Sequence, residues 1–563
     1  MNTTNTPTDV QAYECKHVTY VRAQDGSNND LLAIKENIHK KDGRIEQNLR
    51  FIENMKRSFY VTYEGSRTHQ QKKDWEHLDR LQRFECTQAQ LTTRVAQALG
   101  SPMYQSPLRH LARSPYLYGA DIHTKTLAKH HYQKRYPGVF TDNSVAVLDI
   151  ETDVIKGHGQ IVCLSVTFRN RAFLAVTKAF VDGIDDVEKK IQHAFTENLG
   201  QYQTKRGIVL EIGVYASAGK ACYEAIQRAH AWKPDFLTLW NMDYDIPRII
   251  DALERDNYRL ADVFSDPSVP KRYRYAHYKP GNHFKVTASQ KHIPLDISMR
   301  WHVFTAPATF YIIDSMSVYR QLRLAKQKEP SYSLDNQLNK HLGLGKLKFD
   351  EQLSQNLVGI DWHVHMQRHH RVAYTIYNLF DCIGVELFDE KLKDLAQSIS
   401  VQSGYSDYSI FNSQPKRLID RLYFFYLERN KVIATHCDQI HNETLDSKTV
   451  SAKDWIITLP SHLMCVDGLH CIKDHPNLST LIFTHVSDLD VSAAYPSGQL
   501  IMNLSRETTA YELCKIRGVD EVTKRAAGMN LTASHVNAYE ICTSIFNAPT
   551  FDALLERFEK THL

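Results

Sequence analysis

No two cysteines of this sequence are spaced as CxxC, and neither sign of charge dominates it. No apolar run approaches the ~18 residues of a membrane-spanning helix. The ten cysteines (Cys15, Cys86, Cys163, Cys222, Cys382, Cys437, Cys465, Cys471, Cys514 and Cys542) form no framework of regular spacings, which points to reduced thiols rather than a disulfide scaffold. The opening MNTTNTPTDV is polar and lacks the apolar core of a secretory signal. Lys and Arg number 68 against 64 Asp and Glu, so the net charge is only +4. Global charge therefore announces no nucleic-acid partner, and any basic surface must be local. No internal repeat or low-complexity tract is present. GLGK at 343–346 lacks the spacing of a phosphate-binding P-loop.

What remains is a chain of 563 residues, 42% hydrophobic and 23% charged. That suits a globular protein of about three to four domains at roughly 150 residues each. Residues 1–140 are mixed and polar, with strand-like pieces at His17–Val21 and Phe59–Tyr63, and the charge-rich Lys72–Phe84 reads as a solvated helix. At Val145 the character changes. VAVLDIE, QIVCLSVTFR and AFLAVT read as successive strands, followed by a helix over Asp186–Leu199, the strand IVLEIGVY, a helix over Ala216–Ala231, the strand DFLTLW and a helix over Ile246–Glu254. The order β-β-β-α-β-α predicts an α/β fold with a mixed sheet. TFYIID predicts a further strand, Arg368–Leu395 a long helix, Gln414–Asn430 another helix and Thr484–Asp490 a strand.

Three carboxylate patterns stand out. DIE places Asp149 and Glu151 at i and i+2 of a strand, on one face. Two such carboxylates repel unless a cation lies between them, and rigid oxygen ligands suit Mg²⁺ or Mn²⁺; a solvated strand end is the plainer reading. LTLWNMDYDIPRII sets Asp245 at a strand-to-helix junction, four residues after Asn241, where an N-cap is the alternative. YTIYNLFDCIGVELFDE puts Tyr377 and Asp381 at i and i+4 on a mostly apolar helix. A carboxylate there is costly unless paired or metal-bound.

In that order the three patterns resemble the DEDD exonuclease superfamily, and the tyrosine at 377 resembles its DEDDy branch, which includes the proofreading domains of DNA polymerases. The resemblance implies a ribonuclease H-like fold and a two-metal 3′→5′ exonuclease. It implies that Asp149, Glu151 and Asp381 hold one ion. Asp149 bridges to a second ion supported by Asp245, and Tyr377 orients the attacking water. Here two residues separate Asn241 from the Tyr244-Asp245 pair, where family B enzymes usually have three. Pro330–Asp350, PSYSLDNQLNKHLGLGKLKFD, resembles the stretch that family B polymerases carry between the second and third sites; an ordinary helix with a glycine C-cap is the alternative.

KRYRYAHYKPGNHFK, 271–285, interleaves basic and aromatic residues. Read with period two, Arg272 and Arg274 share one face and Tyr273 and Tyr275 the other. Such a hairpin would track a single DNA strand, and Asn241 is also expected to bind DNA; an exposed strand with basic gatekeepers is the plainer alternative. LMCVDGLHCIKDH holds Cys465, His470, Cys471 and His475 in no common zinc spacing, and it is more similar to the approach to a family B polymerase site.

DLDVSAAYPSGQLIMNLSRET, 488–508, resembles motif A of family B polymerases, with MNLSRET similar to T4-type bacteriophage enzymes. Anchoring on Tyr495-Pro496-Ser497 makes Asp490 the implied metal ligand and Tyr495 the implied steric gate against a ribose 2′-OH; Ala493 and Ala494 stand where the family usually has other residues. The resemblance divides the chain into a family B N-terminal domain over 1–140 (completed by about 396–455), an exonuclease domain over 141–395, and the first part of a palm over 456–563. No second carboxylate motif (D-T-D) and no fingers helix (K-x-x-x-N-S-x-Y-G) follow Ser497.

The expectation is thus the N-terminal part of a split family B DNA polymerase, with a second polypeptide supplying fingers, the remaining palm and thumb. Implied partners are primer-template DNA, a single-stranded 3′ end and a sliding clamp, with no membrane. The implied location is cytoplasmic, in the host cell for a phage protein. A stand-alone exonuclease with a vestigial palm is the first alternative. A non-enzymatic DNA-binding scaffold is the second, and the retained set Asp149, Glu151, Asp245 and Asp381 argues against it. The chain alone is expected to extend no primer in the presence of Mg²⁺ and all four deoxynucleotides. Extension should appear when a second chain carrying the two missing motifs is added.

Overall fold

The computed structural model describes residues 9–70, 72–100, 107–286, 291–324, 328–345, 347, 349, 357–436, 501, 532–533 and 536–537. The chain divides into two compact units. One comprises 1–60, 83–104 and 119–431; the other comprises 61–82, 105–118 and 432–563. In the smaller unit, backbone bonds from Ala434 to Asp74 (2.8 Å) and from Thr435 to Leu117 (3.0 Å) join its described pieces.

The larger unit begins with three antiparallel strands, β1 (Val10–Arg22), β2 (Asp30–Lys40) and β3 (Ile45–Glu53). Helix α1 (Thr124–Arg135) covers them, with Ala128 and Tyr132 packed on Val18, Leu32 and Ile34. The centre of the unit is a six-stranded sheet. Its members are β4 (Val145–Thr152), β5 (Ile161–Phe168), β6 (Arg171–Thr177), β7 (Val209–Tyr215), β8 (Phe236–Leu239) and β9 (Tyr311–Asp314), in the order β7-β6-β5-β4-β8-β9. Only β5 runs against the others: it pairs antiparallel with β4 and β6, while the remaining pairs are parallel. The mixed sheet and the expected strand and helix order are both present.

Helices cover both faces, as a sheet with apolar residues on both sides requires. Alternation along β4 decides which side chain goes where. Ala146, Leu148 and Ile150 pack under α3 (Ala218–Trp232) and α4 (Met242–Arg255). Val147 faces the other way, toward α2 (Val187–Arg206) and α8 (Arg371–Leu392). Gly219 is required where α3 meets α4, because a Cβ there would lie 2.5 Å from the carbonyl oxygen of Ala252.

Between these elements lie α5 (Ser315–Leu322), α6 (Leu334–Leu342) and α7 (Gly359–His369). Helix α6 is capped by Ser333 and closed by Gly343 at φ 66°, the ordinary glycine-capped form. A further helix, α9, spans Gln414–Leu427.

Two local expectations are corrected. Lys72–Phe84 is not a helix: it contains a strand at Trp75–His77, a turn at Leu78–Arg80 and the start of a strand over Leu81–Thr87. A distant partner outweighs the local charge pattern, since Phe84 stacks on Phe59 with ring centroids 5.3 Å apart. The long helix over Arg368–Leu395 is broken at His370, whose φ of −133° is not helical, and it ends at Lys393 with φ 59°. There Asp389 accepts backbone N–H bonds from Leu395 (2.7 Å) and Ala396 (3.2 Å), capping the exit from α8.

Glu386 on α8 is buried against Arg206 of α2. Burial pushes its acid up to about 7, and the nearby guanidinium only partly opposes this. Between pH about 4.5 and 7 the folded chain therefore holds a proton that the unfolded chain has released, so stability falls as pH rises through that window. Glu386→Gln should flatten this dependence. Relative to wild type, its melting temperature should rise by about 2 °C between pH 5 and pH 7, read by calorimetry.

Candidate metal centre on the central sheet

The centre is built where β4 meets α8. Asp149 and Glu151 follow Val147 on the face of β4 that looks toward α8, and a register irregularity follows Glu151. Tyr374, Asn378 and Asp381 fall at i, i+4 and i+7 of α8, on one helical face. Asp149, Glu151 and Asp381 each offer a carboxylate oxygen, and these atoms lie within 4.8 Å of one another. Among the described residues this is the sole cluster of three or more such side chains.

Two donors from the same helix serve the strand carboxylates. The Tyr374 hydroxyl donates to Oε2 of Glu151 at 2.6 Å. The Asn378 amide donates to Oδ2 of Asp149 at 2.8 Å. Asn378 is fully buried, and its Oδ1 has no hydrogen-bond partner among the described residues. Burial, then the Glu151 charge, pushes the Tyr374 phenol far up, so it stays protonated and donates. The thiols beside the cluster report the same field. Burial raises both, and the carboxylates raise them further: Glu151 and Asp149 at Cys163, and Asp149, Asp381, Glu386 and Asp245 at Cys382.

Asp245 lies in the first turn of α4 and is buried at 4% exposure; it is not one of the three clustered carboxylates, but like Asp149 and Asp381 it raises the Cys382 thiol. It is not an N-cap. Asn241 holds that position without a side-chain capping bond, and its buried Oδ1 has no hydrogen-bond partner among the described residues. Asp314 at the end of β9 performs the capping instead. Its carboxylate accepts from the N–H of Met242 (2.7 Å) and of Ser317 (2.6 Å), tying α4 and α5 to the sheet, and burial pushes its acid up to about 7. At the other end of the site the Gln367 amide donates to the Thr152 carbonyl at 2.8 Å and accepts from the Val154 N–H at 3.1 Å. Tyr244 and Thr152 share a hydroxyl–hydroxyl bond of 2.8 Å.

Tyr377 is buried in an aromatic group with Trp362 (centroids 4.8 Å apart), His363 (5.9 Å) and Tyr374 (5.9 Å, nearly parallel at 15°). Sequence reasoning missed Tyr374, Asn378, Gln367 and Asp314. The first two were within reach, since helical spacing from Asp381 in the quoted YTIYNLFD segment places them on its face.

The expected period-two arrangement of Arg272, Tyr273, Arg274 and Tyr275 is corrected. Lys271–Tyr273 is a tight turn after Pro270, and the strand begins only at His277. Tyr273 is buried among Ala23, Leu31 and Val269, a gain that outweighs an exposed strand. Arg272 pairs with Glu53 at 2.8 Å, Arg274 pairs with Asp262 at 3.1 Å, and Tyr275 is half-buried. Asp490, Tyr495 and the Cys465–His475 segment lie outside the described residues.

Comparison with protein-family models and with curated proteins returns no match. No described helix is long and apolar enough to cross a membrane.

Three clustered carboxylates fit a hard divalent cation and destabilise the cation-free fold by mutual repulsion. Asp381→Asn should abolish saturable Mn²⁺ binding measured by electron paramagnetic resonance. In chelator-treated protein it should raise the melting temperature by about 2 °C.

Proposed function

We propose that this chain is a metal-dependent 3′→5′ DNA exonuclease of the DEDDy type on a ribonuclease H-like sheet. The observation that carries the reading is the meeting of Asp149, Glu151 and Asp381, brought from a strand and a helix 230 residues apart into one cluster within 4.8 Å. The sheet order, with one antiparallel strand next to the strand that bears the carboxylates, supports it.

The donor set is all carboxylate oxygen, which suits Mg²⁺ or Mn²⁺ rather than a softer metal. Asp149, Glu151 and Asp381 would hold the first ion, and Asp245 would support a second through Asp149. When bound, the ions supply an activated water and charge stabilisation at the scissile phosphate. Tyr374 and Asn378 keep the two strand carboxylates oriented. Tyr377 is assigned the orientation of the attacking water. The substrate is a single-stranded 3′ end.

The same resemblance extends the proposal to a family B polymerase of T4-like phage type, with Asp490 as a polymerase metal ligand and Tyr495 as the steric gate. DNA synthesis then draws on a second chain.

The test is degradation of a 5′-labelled single strand in Mg²⁺. Wild type should shorten it from the 3′ end, and Asp149→Ala should lower the rate by about 10³-fold or more. Equal absence of degradation in both proteins would sink the exonuclease reading.

A further inference from the structure

Tyr374 sits three residues before the tyrosine expected to act in catalysis. It is fully buried. Its hydroxyl lies 2.6 Å from Glu151 Oε2 and 2.9 Å from His363 Nδ1. A phenol has one proton. With that proton given to the carboxylate, the phenol oxygen must accept from His363, which places the imidazole proton on Nδ1. The result is a directed chain from α7 through α8 to β4: His363 donates to Tyr374, and Tyr374 donates to Glu151. The ring is held in place by Tyr377 stacked at 15°, by His363 edge-on at 5.8 Å and by Phe180 at 6.2 Å. The bond fixes one carboxylate oxygen of Glu151 from a rigid helix beside the cluster.

We propose that Tyr374 is a positioning residue of the metal centre, acting through Glu151, and that its hydroxyl with His363 behind it sets cation affinity. The inference rests on the exonuclease reading for its activity arm, but its first readout is binding alone. Because Tyr374 is shielded from solvent and aimed at a ligand, its role is separable from any contact with DNA. Removing an outer hydrogen-bond partner of a ligating group typically weakens metal affinity by about 10-fold or more.

The experiment compares full-length wild type and Tyr374→Phe by Mn²⁺ titration under electron paramagnetic resonance, then by exonuclease kinetics at several Mn²⁺ concentrations. Tyr374→Phe should raise the Mn²⁺ dissociation constant about 10-fold. Its kcat should fall at limiting Mn²⁺ and recover at excess Mn²⁺, with KM for the oligonucleotide unchanged. In a Glu151→Gln background, adding Tyr374→Phe should cost no further affinity, since the two side chains act as one unit.

Equal Mn²⁺ affinity in wild type and Tyr374→Phe would overturn the inference and leave the exonuclease reading standing. A wild type that binds Mn²⁺ but degrades no DNA would overturn the exonuclease reading, and the affinity comparison would still decide this one. Should Tyr374→Phe fail to fold, His363→Gln removes the outer link from a partly exposed position. A weakened Mn²⁺ affinity in that variant supports the chain, and an unchanged one overturns it.

Discussion

Helix α8 lies against β4 with a polar seam running through an otherwise apolar face. Ile376, Leu379, Phe380 and Ile383 join the core around that seam, while Tyr374, Asn378 and Asp381 meet Asp149 and Glu151 within it. The apolar burial holds the two elements in register, and the register brings three like charges within 4.8 Å. Uncompensated, such a cluster opposes folding, because each carboxylate loses water and gains a repulsive neighbour. The Tyr374 and Asn378 donors offset part of this cost, since hydrogen bonds to charged groups are worth about 1.5–3 kcal/mol. A divalent cation would offset the rest. The packing therefore holds together three carboxylates whose repulsion a divalent cation would relieve.

The surrounding fold uses carboxylates differently. Asp314 and Asp389 are also buried, yet each accepts two backbone N–H bonds at a helix end or turn. Asp314 fixes the start of the helix that carries Asp245, and Asp389 closes the helix that carries Asp381. Burial still pushes their acids up, to about 7 and about 6. The site is thus braced at both ends by acids satisfied by the backbone. At its centre Asp149 and Glu151 each receive a side-chain donor, and the three acids lie close to one another. The first arrangement stabilises geometry, and the second creates demand for a ligand.

Much of this was legible in advance. The alternation in VAVLDIE put Asp149 and Glu151 on one face, and the strand and helix order of 145–254 was readable because each element has a clean period. Asp381 was readable as a carboxylate on an apolar helix. Tyr374 and Asn378 were passed over because a Tyr or Asn on a buried face is ambiguous until the partner strand is known. Lys72–Phe84 misled because its charges suit a solvated helix, while its fate depends on a strand elsewhere in the chain. Residues 271–275 misled because period two was applied to a segment that turns at Pro270 to bury Tyr273 against residues of the N-terminal sheet.

Local pattern by itself determined the type and order of the central elements and the side of the strand on which two carboxylates lie, because backbone periodicity acts over a few residues. Only the tertiary structure decided that Asp381 meets Asp149 and Glu151, that Asp245 is not one of that three-carboxylate cluster, and that Tyr374 donates to Glu151. Those outcomes depend on the rotation and register with which α8 docks on β4. That docking is set by the shape of a core drawn from residues more than two hundred positions apart, information that no short window of sequence contains.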